Sequence, residues 1–168
     1  VDTIKKAVTK RTLDALTKLK EKSFNKYKEF WNEYGLVLKE GPAEDFDNKE
    51  LIASLILFNS SNHIDMDNLI SLDEYIEKMQ PEQDKIYFCV ADTFEAAINS
   101  PHIEKLKSKE IEVLLLTDRI DEWLMTSIYE YKGKQLVNVA KEEISKETKE
   151  SKINDKDKDN EISFKIIR

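Results

Sequence analysis

Apolar residues fall at helical spacing from the first turn onward. Ile4, Val8, Thr12, Ala15, Leu16 and Leu19 recur every three to four positions with Lys and Arg between them, which predicts an amphipathic helix. A second helix is expected after Ser23, a fair N-cap, with Tyr27, Phe30, Trp31, Tyr34 and Leu38 as one aromatic-rich stripe. Gly35 interrupts that stripe at a cost of about 1 kcal/mol relative to Ala, which suggests a close helix contact. Gly41-Pro42 reads as its stop. Asp47 with Glu50, and Ser71 with Glu74, both carry the spacing of a capping box, the first opening "NKELIASLILF" and the second "LDEYIEKM". Between them "NSSNHIDMDN" is a polar loop, so the first half reads as four helices deep.

After Pro81 the period changes. "KIYFCVA" (85–91), "IEVLLLT" (111–117) and "KQLVNVA" (134–140) are short apolar, β-rich runs. The middle run is almost continuously apolar, as expected of a strand covered on both faces. Between the runs, "TFEAAINS", a Pro-initiated "HIEKLKSKE" after Ser100, and "DRIDEWLMTSIYEY" read as helices. The order β-α-α-β-α-β predicts a short parallel sheet sandwiched by helices. The expected fold is therefore α/β: a helical coil of three to four helices, then a small αβα sandwich. From Lys141 to Glu161 the chain is mostly Lys, Glu, Asp, Ser and Asn, a solvated linker or weak helix. It opens at Val1 inside a helical pattern and closes on the apolar "ISFKIIR", so it is expected to be a piece of something longer.

Composition narrows the function classes. The 168 residues are 36% charged with a net charge of −7, a poor match to a nucleic-acid partner, which wants clustered cations. Neither a signal-peptide pattern nor an apolar run near the roughly 18 residues of a membrane span is present. The lone Cys89 can form no internal disulfide, which points to a reducing compartment, and in its strand it reads as an inert core residue. His63 and His102 show no metal-ligand spacing and are expected at the surface. The chain's glycines are Gly35, Gly41 and Gly133, too few and too scattered for a phosphate-cradling loop. The acid pairs Glu44-Asp45 and Asp121-Glu122 are no more than 34 acids produce by chance, and the second sits where a helix N-terminus favours negative charge. No self-contained catalysis is expected.

The segment "FWNEYGLVLKEGPAEDFDN" resembles the middle domain of the heat-shock protein 90 chaperones in their bacterial form. So, in order, do "SLDEYIEKM", "KIYF", "SPHIEKLKSKEIEVLLLTDRIDEW" and "EYKGKQLVNVAK", together covering Thr3 to Lys141. The resemblance implies a middle-domain coil over residues 1–80, the αβα sandwich over 81–140, and over 141–168 a charged linker and the start of a dimerisation domain. It implies a cytoplasmic, ATP-dependent chaperone whose nucleotide site, with its magnesium, lies in a domain absent here. This piece would have no cofactor and no turnover of its own, would be a monomer cut from a homodimeric parent, and would contact the parent's other domains and unfolded client proteins. Trp123, Leu124, Met125 and Thr126 are the client-binding residues it implies.

Trp supplies wide apolar area with an N–H donor, and Met an adaptable surface, which suits such a role. Ile120, Trp123, Leu124 and Ile128 also fall at the i, i+3, i+4, i+8 spacing of an inner helical stripe, which would bury the Trp. A partly buried Trp123 with Met125 and Thr126 on the outer side reconciles the two. The alternative reading is a standalone α/β enzyme with a site at the strand carboxyl ends near Asp92 and Asp118. A structural spacer without client binding is a third.

Overall fold

The computed structural model describes residues 2–63 and 65–141; the expected linker and "ISFKIIR" lie outside them beyond Lys141. Helices α1 (Asp2–Lys22) and α2 (Phe24–Glu44) open the chain. The apolar stripe of α1 meets the core only from Leu13 onward; Ile4 and Val8 project into solvent. The inner row of α2 is Tyr27, Trp31, Gly35, Lys39 and Pro42, each a turn apart. This departs from the expected aromatic stripe: Tyr34 is exposed, its ring stacked on half-buried Phe30 at 5.4 Å between centroids. The helix also runs through Gly41-Pro42 to Glu44. Proline so near the end removes a single intrahelical bond, and the Asp45 N–H still closes on the Gly41 carbonyl at 2.8 Å.

The next helix, α3 (Lys49–Leu55), does not use the expected Asp47/Glu50 box. Asn48 stands at its N-cap, and Asp45 accepts from the Asn48 backbone N–H (3.2 Å) and side-chain amide (2.8 Å). "LILF" then leaves the helix: Ile56 is extended and β1 (Leu57–Ser60) begins, pairing antiparallel with β2 (Ile70–Ser71). The first half is thus not helical throughout. At α4 (Leu72–Glu77) the predicted box is complete: the Glu74 N–H donates to Ser71 Oγ and the Ser71 N–H to Glu74 Oε2.

The second half follows as β3 (Lys85–Val90), α5 (Phe94–Ile98), α6 (Pro101–Lys107), β4 (Leu114–Leu116), α7 (Arg119–Ser127), β5 (Glu130–Tyr131) and β6 (Lys134–Asn138). The expected long last helix ends at Ser127, because "EYKGKQ" is a hairpin. Lys132 and Gly133 both have positive φ (46° and 76°), and Tyr131 pairs with Lys134. That two-residue turn suits the twist of antiparallel strands.

All six strands form one sheet in the order β2-β1-β4-β3-β6-β5. The predicted parallel sheet is its centre, β4-β3-β6; the antiparallel strands β1 and β2 extend it on one side and β5 alone on the other. Side chains alternate across it. Ile86, Phe88, Leu114 and Leu116 enter the larger core with α1–α4 and α7, while Cys89, Val113 and Leu115 enter a second core with Ala97 and Ile103 of α5 and α6. The αβα layering follows from that alternation, since a strand buried on both sides needs apolar residues at every position.

A candidate binding helix and its buried anchor

Helix α7 starts at the carboxyl end of β4 and lies against α2. Its inner row is Asp121, Leu124, Met125 and Ile128, all buried; its outer row is Arg119, Glu122, Trp123 and Thr126, all exposed. Trp123 keeps 45% of its surface in solvent. The four residues singled out for client contact are therefore split. Trp123 and Thr126 share the outward face, with the Thr126 hydroxyl donating to the Trp123 carbonyl at 2.6 Å. Leu124 and Met125 belong to the core, which corrects the placing of Met125 on the outer side. The inner-stripe alternative is corrected too: Asp121, not Trp123, holds the inward position one turn before Leu124.

A charged residue can occupy that position because Lys39 comes to meet it. Lys39 Nζ donates to Asp121 Oδ1 at 2.7 Å and to Asp118 Oδ2 at 2.8 Å. The Lys39 and Asp121 side chains are 7% and 1% exposed, and Asp118 is about half open. The second oxygen of Asp121 accepts the Asp118 backbone N–H at 2.9 Å, so every charge-bearing oxygen of Asp121 has a partner at the positive end of the helix. Above the ammonium lies the Trp31 ring, 5.9 Å from Nζ to its centroid. Trp31 in turn lies flat on its own helix across Gly35, where an added Cβ would meet ring atoms at 2.8 Å. Gly35 thus serves an intrahelical contact rather than the helix–helix approach expected of it.

Sequence reading missed Lys39. Its signal was available: Trp31, Gly35 and Lys39 stand at i, i+4 and i+8, a lysine on an inward row.

The strand carboxyl ends do form an open cavity lined by Asp92, Thr117, Asp118, Arg119 and Glu122. Its Asp118 carboxylate is engaged by Lys39, and among the described residues no three His, Cys, Asp or Glu gather as a metal cage. The cysteine and the two histidines do not line that cavity. Cys89 is buried, and burial pushes its thiol up, away from the thiolate. His63, after β1, and His102, in the first turn of α6, are half-buried rather than open.

The fold is thus a mixed six-stranded sheet between two helical layers, with α1 and α2 leading into it. The chain belongs to the Hsp90 family: the model described as "Hsp90 protein" matches residues 1–167. It is 47% identical over 161 residues to the chaperone protein HtpG of Buchnera aphidicola, covering 95% of this chain and 26% of that protein. It is 54% identical over 138 residues to HtpG of Colwellia psychrerythraea, covering 82% of this chain and 21% of that protein. Among solved structures it is similar to the middle domain of a Plasmodium falciparum heat shock protein. The TM-score is 0.77 at 36% identity, over 82% of this chain and 57% of that one. The chain thus spans about a quarter of the length of the curated relatives it matches. The standalone-enzyme reading is not favoured.

Proposed function

We propose that this chain works as the later middle-domain segment of an ATP-dependent chaperone, and that the outer row of α7 touches client proteins through Trp123 and Thr126. The observation that carries the proposal is the solvent-facing Trp123 on a helix whose other face is fully packed. An exposed indole on a rigid element offers apolar area and a donor at little cost in ordering. Leu124 and Met125 act from beneath, as the packing that holds the row outward.

ATP and its magnesium belong, in this reading, to a part of the parent outside this chain. In support, Gly35 and Gly41 are helical and Gly133 is in a hairpin turn, so none of the three stands in a phosphate-cradling loop among the described residues. The remaining partners would be the parent's own amino- and carboxy-terminal domains, in a homodimeric protein of the cytoplasm.

Trp123→Ala tests the proposal. Removing a binding hot spot costs about 2 kcal/mol, roughly a thirtyfold loss of affinity for an unfolded protein. The melting temperature should hardly move, because the side chain is nearly half exposed. Unchanged affinity would refute the client role, and ATP hydrolysis that copurifies with the chain would refute the absence of a nucleotide site.

A further inference from the structure

We infer that Lys39 is the positioning residue of the binding row: it acts through Asp121 and Asp118 to fix how α7 is rotated, and so where Trp123 points. This rests on the reading of Trp123 as a client contact.

Leu124, Met125 and Ile128 bury α7 against the larger core, but apolar contact is non-directional and constrains rotation about the helix axis loosely. Hydrogen bonds from an ammonium to two carboxylates are directional and short. At 100° per residue, Asp121 and Trp123 are about 160° apart on the helix, so a clamp on the inward carboxylate sets the outward ring. Lys39 grips both Asp118, the N-cap, and Asp121, in the first turn, and therefore fixes the start of α7 at two points. The ammonium is itself held in place, with the Trp31 ring over it and α2 packed against α7.

An apolar side chain at 39 would have served packing alone. A buried charge costs desolvation, and pairs of this kind are best attested as devices of geometric specificity.

The experiment uses the 168-residue chain, with reduced, carboxymethylated α-lactalbumin as the unfolded probe. It compares Lys39→Met, the double variant Lys39→Met with Asp121→Asn, Asp118→Asn, and Trp123→Ala. Two quantities are read on folded protein: probe affinity, and the indole N–H resonance of Trp123, assigned by its loss in Trp123→Phe. Lys39→Met should displace that resonance and weaken capture about tenfold. The double variant removes the stranded carboxylate, so it should regain melting temperature while the resonance stays displaced and capture stays weak. If the single variant does not fold, the double one decides. Asp118→Asn loses only the half-exposed arm and should shift the resonance less, in the same direction.

A Trp123 resonance and capture that stay at wild-type values in the folded double variant would reduce Lys39 to a stabilising contact and overturn the inference. If instead Trp123→Ala leaves capture unchanged, the client reading fails by itself. Lys39 is then judged by the resonance alone, displacement supporting its positioning role and constancy ending it.

Discussion

Gly35 shows how a single missing side chain sets up a contact that spans two turns of its helix. The Trp31 ring rests where a Cβ would stand, and from there it faces the Lys39 ammonium. Ala is the better helix former by about 1 kcal/mol. Even so, Gly35→Ala should leave the fold less stable by up to about 2 kcal/mol net, because shifting the ring within a packed layer costs about 1–3 kcal/mol. Urea unfolding measures the balance, and a stabilised variant would show that the ring can move freely. The same residues mark the limit of sequence reading at this scale. The periodicity of α7 offers Trp123 as readily as Asp121 for the inward row, and apolarity favours Trp123. What reverses the choice is a lysine 82 positions earlier, which no local window contains. Exposure of Trp123 is a tertiary fact; family likeness singled out Trp123 and Thr126 only together with the buried Leu124 and Met125.

Elements were legible where their signals were local. Ser71 and Glu74 cap each other as their spacing implies, and Pro101 opens α6. The misreadings have equally definite causes. Asp47/Glu50 has the same spacing as a box, but Asp45 engages Asn48 first and starts the helix one residue later. "LILF" is as apolar as a helix core, and its extended state follows from strand partners at Ile70 and Ser71 rather than from its own composition. The β5–β6 hairpin was hidden because Lys132 takes a left-handed conformation that Lys seldom adopts. Its neighbour carries the test. Gly133→Ala meets no steric neighbour, yet its φ of 76° is unfavourable to any side chain with a Cβ. The substitution should cost about 1 kcal/mol by chemical denaturation, with Gly133→Asn costing less. Equal stability of Gly, Ala and Asn would show that the turn relaxes.

At the scale of the whole molecule, three buried phenols join elements that are distant in sequence. Tyr27 Oη donates to the Leu55 carbonyl, tying α2 to α3. Tyr131 Oη donates to Asp73 at 3.0 Å, tying β5 to α4. Tyr75 Oη donates to the Glu112 carbonyl at 2.6 Å and accepts from the Tyr87 N–H at 3.1 Å, so α4 is held to β3 and to the segment that leads into β4. Burial raises the pKa of all three, that of Tyr75 to about 12. The unfolded chain releases these protons near pH 10, whereas the native state retains them. Between the two values the native state binds more protons, so stability falls as pH rises; below about pH 10 the contribution is fully present. Lys20 has the opposite sign. Burial lowers its pKa below 10.5, so it adds stability as pH rises toward that value and adds no slope above it. Tyr75 alone should therefore remove about 2–3 kcal/mol of stability by about pH 12. Urea unfolding at intervals from about pH 9 to pH 12, with phenolate absorbance followed in parallel, should show buried tyrosines ionising together with loss of the fold. Tyr75→Phe should be less stable at neutral pH by about 1–3 kcal/mol, since the buried bond to the Glu112 carbonyl and the half-buried one from the Tyr87 N–H are both lost. It should also lose stability less steeply above pH 10. An alkaline slope equal to that of the unsubstituted chain would mean that the Tyr75 phenol already reaches solvent in the native state, and that it does not tie α4 to β3 and the segment before β4.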